Sequence, residues 1–126
     1  MLSRYLNEQF GPLILRLSLG PIMLISHGLP KLTNYSSLKS SFPDPLGVTS
    51  QLSLALVIFS EVICSILLIL GIKTRLFTIP LIITMAVAAF IIHAGDPWQK
   101  QEFPIIYLAG YISLLFTGGG KFSIKE

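Results

Sequence analysis

Four long apolar runs, at about residues 10–29, 52–72, 76–94 and 103–118, divide this chain, and each is bounded by polar or turn-forming residues. At 1.5 Å per residue, helices of these lengths rise roughly 24 to 32 Å, close to the ~30 Å hydrocarbon thickness of a bilayer. The last run is the shortest and needs local thinning or flanking anchors to span. A soluble four-helix bundle shows one apolar stripe per helix and a charged opposite face. Here Leu, Ile, Val and Phe go all the way round. Composition agrees: of 126 residues, 52% are hydrophobic and 12% charged, about half the charged share usual for a soluble domain. Nine Lys/Arg and six Asp/Glu are too few to clothe so small a chain, because a small domain leaves much of its area in water. A disordered chain, a disulfide-built secreted module and an ordinary cytosolic enzyme are thereby excluded. The expected fold is all-α: a multi-pass integral membrane four-helix bundle in contact with lipid, one domain over residues 1–126, without internal repeats.

The net charge of +3 and the pI near 9.2 do not point to nucleic acid, because no basic cluster carries that reading. Cys64 is the single cysteine, so an internal disulfide and a dithiol relay within this chain are excluded. Its expected state is a buried thiol. Arg16 interrupts the first run and no small-x-small cleavage site follows, which argues against a cleaved signal peptide. Orientation follows from Lys and Arg in the flanks. With the N-terminus inside, Arg4, Lys73, Arg75, Lys121 and Lys125 lie inside, and Lys31, Lys39 and Lys100 outside. That bias places both termini in the cytoplasm. Residues 71–75 then form a cytoplasmic hairpin in which Gly71 ends the second helix. Residues 30–51, with Pro43 and Pro45 around Asp44, form an outer loop.

Pro12 and Pro104 are expected in first helical turns, where a missing N–H costs nothing. Pro21, after Gly20, predicts a mid-span kink, and Pro80 a bend one turn into the third helix. Trp98 reads as an interfacial anchor, and Gly118-Gly119-Gly120 as a flexible stop to the fourth helix.

Charged groups at membrane depth are costly, so each asks for an explanation. Arg16, His27, Glu61 and His93 fall within the spans. At 100° per residue Arg16, Gly20, Met23 and His27 share a stripe about 60° wide. Glu61 shares a face with Ser65. Ala86, Ala89 and His93 form a small-residue stripe of the kind that faces a bundle, and Tyr107, Gly110, Tyr111 and Leu114 form another. His27 and His93 lie near the outer ends of their helices, with Glu61 roughly 13 Å below the same end. Side chains lean toward their helix N-terminus, so these three are aimed toward one another in depth. Arg16 leans away and is expected to snorkel, leaving Glu61 to pair with His27.

Such a cluster has several readings. Glu61 and His27 can satisfy each other and fix packing. They can serve a quinone site, since quinone reduction takes up protons as well as electrons. There Glu61, His27 and His93 would manage protons, Tyr107 and Tyr111 would line the slot, and Arg16 and Lys31 would help bind substrate. A midplane carboxylate also suits a small-solute or proton carrier. The ligand types would suit a metal, but no short ligand spacing supports one, so none is expected. No nucleophile elbow, phosphate loop or haem motif is present.

Read together, Leu15-Arg16-Leu17, His27-Gly28 with Lys31 four residues on, Glu61, and Leu70-Gly71-Ile72-Lys73-Thr74-Arg75 form a pattern. His93, Asp96-Pro97, Glu102, and Gly118-Gly119-Gly120 with Phe122-Ser123-Ile124 complete it. The chain resembles the DoxX family of small bacterial and archaeal membrane proteins over nearly its whole length. The resemblance implies a four-helix bundle in the cytoplasmic (inner) membrane. It also implies quinone-linked redox chemistry, as in relatives that take part in thiosulfate oxidation, or membership of a membrane assembly handling oxidative stress. The family pattern places polar residues at Arg16, His27, Lys31, Glu61, Arg75 and His93. With Cys64 alone, any thiol relay belongs to a redox partner protein. Small-residue helix faces leave homo-oligomerisation open, and whether the chain itself is a membrane oxidoreductase subunit is left open too.

Overall fold

The computed structural model describes residues 6–126. Arg4, counted above toward the inner charge, lies outside the described residues. Every named element among the described residues is a helix, and the only bridge among them is an isolated parallel pairing of Ile72 with Lys125. Its elements are α1 (Glu8–Thr33), the short α2 (Tyr35–Leu38), α3 (Ser50–Leu70), α4 (Thr74–Ile92) and α5 (Trp98–Thr117). Among the described residues α1, α3 and α4 are long and apolar enough to cross a membrane. The first turn of α5 carries Gln99, Lys100, Gln101 and Glu102, and α5 is not among the three.

Two helix starts and stops differ from the hydropathy reading. The first apolar run ends near Leu29, but α1 continues through Pro30 to Thr33. Pro30 stands in the first turn of a fresh α-helical stretch that follows a π-type turn at Leu24–Gly28, where its missing N–H is least costly. The fourth helix begins at Trp98, directly after Pro97. Pro104 is therefore interior to α5 rather than in its first turn.

The four long helices alternate in direction and pack on one core of Met23, Cys64, Leu68, Leu81, Met85, Tyr107, Tyr111 and Leu114. Cys64 is a free, buried thiol. Small residues set the crossings, as close backbone approach requires. A Cβ on Gly20 would meet the Ile69 side chain, one on Gly110 would meet Leu19, and one on Gly28 would lie 2.6 Å from the Glu61 carbonyl oxygen. Outward, Ile14, Ile25, Phe90, Phe103 and Phe116 are exposed, a surface suited to lipid rather than water.

At the end of the bundle holding the α3–α4 turn, Gly71 terminates α3 in the left-handed region (φ 71°), a conformation glycine adopts without Cβ strain. The C-terminal tail folds back here. Lys73 N–H donates to Lys125 O at 2.8 Å, and Ile124 N–H to Leu70 O at 3.1 Å. The glycine run after α5 is thus no flexible stop. Gly118 and Gly119 are buried, and Gly119 N–H donates to the Glu126 carboxylate, which also accepts from Thr74 N–H at 2.8 Å. We call this the hairpin end, and the opposite end, carrying residues 34–49 and 93–97, the loop end.

Candidate functional site

Arg16 and Glu61, the two charged residues buried among the spans, lie apart, Arg16 at the hairpin end and Glu61 near the middle of α3. Arg16 is 2% exposed. Its Nε donates to Leu68 O and its Nη2 to Ile69 O, each at 2.9 Å. Its Nη1 donates to Gly119 O at 2.9 Å and Phe122 O at 3.1 Å. The guanidinium fork thereby caps the last turn of α3 and ties the tail to it. Four carbonyl acceptors take up its donors, so Arg16 does not snorkel to water, and it is remote from the cavity described next.

A cavity of about 850 Å³ opens toward the loop end between α1, α3, α4 and α5. Its walls are largely apolar, with Met23, Leu56, Phe59, Ile83, Met85 and Phe103 among them. Into it converge Glu61, His27, Lys31, His93 and Tyr107. Tyr111 does not reach the wall. It lies fully buried behind Tyr107, stacked on it with ring centroids 6.1 Å apart and planes 20° from parallel. The Tyr111 hydroxyl finds no hydrogen-bond partner among the described residues.

Glu61 is 3% exposed, and its partner is Lys31 rather than His27. Lys31 Nζ lies 2.7 Å from Glu61 Oε1 and 3.4 Å from His27 O. The pairing exists because α1 runs four residues past Leu29, which carries Lys31 one turn beyond His27 on the same helix. A carboxylate taken out of water needs such a partner, because an unpaired buried charge is far costlier than a paired one. His27 instead presents its ring edge-on to Tyr107, with centroids 5.7 Å apart and planes at 89°, a favoured aromatic arrangement. His93 ends α4 and is held from outside the cavity, its Nδ1 2.9 Å from Asp96 Oδ2. Gln101 Nε2 donates to His93 O at 3.1 Å and Ala89 O at 3.2 Å, joining the start of α5 to the end of α4.

Three of the four long helices depart from α geometry where they meet the cavity, and α5, which carries Tyr107, does not. Wider π-type turns occupy Leu24–Gly28, Phe59–Cys64 and Ala88–Ile92. They hold His27, hold Glu61 and immediately precede His93. Such insertions are rare in helices and concentrate at functional sites.

The loop after α2 forms the roof, with Phe42, Pro43, Pro45 and Leu46 facing the cavity. Asp44 fastens it. Its carboxylate accepts from Ser53 Oγ at 2.8 Å, Thr49 N–H at 2.9 Å and Val48 N–H at 3.0 Å. These bonds, the Ser53 hydroxyl foremost, hold its carboxyl below the ordinary carboxylate range. Thr49 caps α3 by accepting from Leu52 N–H at 3.1 Å and does so at φ 103°, a strained value for a β-branched residue. Sequence reasoning named Asp44 and Asp96 but gave neither its hydrogen-bond partner. The proline pair around Asp44 marked a turn, but its bond to Ser53 spans nine residues and has no local signature. Asp96 stands three residues after His93, a spacing that a helix-end reading could have used.

Among the described residues no three His, Cys, Asp or Glu side chains cluster as a metal site. The DoxX family model matches residues 11–94, a stretch that includes Arg16, His27, Lys31, Glu61 and His93 and stops short of Tyr107. An uncharacterized protein of Haemophilus influenzae is 28% identical over 95 residues, covering 71% of this chain and 63% of that protein. The chain thus spans less than two thirds of that relative's length. No solved structure matches.

Proposed function

The chain belongs to the DoxX family of membrane proteins, and on that premise we propose that it is a quinone-linked redox component acting with a partner protein. In this reading α5 is a fourth crossing, the termini are cytoplasmic and the membrane is the bacterial cytoplasmic one. One observation carries the proposal: Lys31, Glu61, His27, His93 and Tyr107 converge on a single, largely apolar cavity of about 850 Å³. An apolar pocket with a few convergent polar groups is the usual form of a small-molecule site. The donor set fits a quinone ring, with Lys31, His27 and Tyr107 able to donate to carbonyl oxygens and apolar walls to receive the ring. A bound quinone supplies a carrier for two electrons and two protons. The chain's own part is to orient the ring, exclude water, and hold or pass protons at the Glu61 carboxylate and His27 imidazole. Electrons come from the partner, because Cys64 is the only thiol here.

The test uses purified protein in lipid nanodiscs and a decyl-substituted benzoquinone as probe. Wild type is expected to bind it saturably, and Glu61→Gln to weaken binding about tenfold, or ~1.4 kcal/mol. Equal binding by both proteins would sink the proton-managing role. The 2.7 Å Lys31–Glu61 pair favours a second reading, a non-catalytic membrane subunit in which this pair only fixes α1 to α3. That reading predicts a stability loss in Glu61→Gln and no quinone binding by wild type.

A further inference from the structure

We infer that the cavity's occupant enters sideways from the hydrocarbon, between the loop-end halves of α3 and α4, and is therefore an amphiphile with a long apolar tail. The inference rests on reading the cavity as a ligand site. α3 and α4 are joined by a tight turn and pack closely near it, with the Phe59–Cys64 and Ser65–Leu70 stretches against Thr74–Val87. Beyond Phe59 they part: Ser50–Ile58 packs chiefly on Leu29–Thr33 of α1. The cavity occupies the resulting gap, with Leu56 and Phe59 on one side and Ile83 and Val87 on the other.

These wall residues also face outward. Leu56 is 49% exposed and Ile83 56%, and both lie well inside helices apolar enough to cross a membrane. An opening framed by such side chains at that depth meets lipid, not water. The water side is partly covered, because the roof loop lays Phe42, Pro43 and Pro45 over the cavity and Asp44 pins it to the start of α3, leaving the side lined by Gln99 and Lys100. Ser60 and Thr84 meet within the gap, Thr84 Oγ1 donating to Ser60 Oγ at 2.9 Å, and Pro80, one turn deeper on α4, still lines the cavity. Glu61, the residue after Ser60, puts its carboxylate at this depth. A compact polar head can thus reach the Lys31–Glu61 pair while its tail stays between Leu56 and Ile83. The ligand class is a lipid-soluble molecule with a small hydrogen-bonding head and one long chain, and Leu56 and Ile83 determine its entry.

The experiment compares two probes in phosphatidylcholine–phosphatidylglycerol nanodiscs: the decyl-substituted benzoquinone and the same ring without a tail. For Leu56→Trp/Ile83→Trp we expect tailed-probe affinity to fall about tenfold while the tail-less probe stays within about twofold, a difference of ~1 kcal/mol. The opposite variant, Leu56→Ala/Ile83→Ala, trims the side chains that frame the opening and is expected to speed tailed-probe exchange about tenfold by a kinetic trace. If both variants handle the tailed probe as wild type does, lateral entry is wrong while the ligand site stands. If wild type binds neither probe, both the site reading and this inference fall.

Discussion

Lys31 Nζ and Glu61 Oε1 lie 2.7 Å apart across the contact between α1 and α3, and this pair makes a buried carboxylate tolerable beside an apolar cavity. Glu61 is 3% exposed, whereas the Lys31 side chain reaches it from a position still 24% exposed. The asymmetry fits a lysine that stretches inward from the loop end, its stem along apolar wall.

Removing one partner should therefore cost more than removing both. Lys31→Met leaves the Glu61 charge unpaired and is expected to destabilise by about 3–5 kcal/mol, while Lys31→Met/Glu61→Leu recovers most of that loss. Unfolding in detergent micelles, arranged as a double-mutant cycle, reads the coupling. Simple additivity would mean the pair is not a coupled unit.

Arg16 is predicted to act on the tail and not on the cavity. Hydrogen bonds from a charged group are worth about 1.5–3 kcal/mol each, and Arg16→Lys loses the fork that serves four carbonyls. We expect a clear drop in thermal stability and faster proteolysis after Gly118, with quinone affinity unaltered. Loss of quinone binding without tail release would instead assign Arg16 to the ligand site.

At the helix crossing, Gly28 has no room for a side chain. A Cβ there would sit 2.6 Å from Glu61 O and 2.8 Å from Glu61 C, closer than packed atoms approach. Gly28→Ala should push α1 from α3, lengthen the Lys31–Glu61 contact and destabilise by about 1–3 kcal/mol. An unchanged melting temperature would show that the crossing is looser than described.

The roof loop should respond to acid through Asp44. Its bonds favour the ionised form, so its folded-state pKa is depressed. The stability it contributes is present above the unfolded-state value, about 3.9, and is lost as pH falls through the lower folded-state value. Hydrogen exchange at Val48 and Thr49 should stay slow at neutral pH and quicken only in strong acid. Asp44→Asn should exchange fast throughout, and a midpoint near neutrality in wild type would contradict the latch.

Much of the helical framework was legible in hydropathy alone, because apolar runs of bilayer length have few other solutions. In α4 the expected stripe of Ala86, Ala89 and His93 is met only in part: Ala89 is buried, while Ala86 and His93 are half-buried, and the buried face there is Thr74, Thr78, Leu81, Met85 and Ala89. In α1 it slipped. The turn at Leu24–Gly28 inserts a residue, so after Met23 the next fully buried residue is Gly28, and His27 turns partly aside toward Tyr107. Lys31 lies just past the apolar run that ends near Leu29, so hydropathy places it among the outer flanking charges and gives no sign of its pairing with Glu61. The Arg16 clamp had no local pattern at all: its acceptors are 52 to 106 residues away in sequence. Long-range carbonyl contacts of this kind leave no trace in spacing.

The most direct measurement is photolabelling with a decyl benzoquinone carrying a photoreactive group on the ring, in nanodiscs, followed by peptide mapping. Labelling is expected only in the peptides holding Lys31, Glu61 and Tyr107, suppressed by excess unlabelled quinone and reduced in Glu61→Gln. Labelling spread over lipid-facing residues such as Ile14 and Phe116, insensitive to competitor, would contradict the site reading.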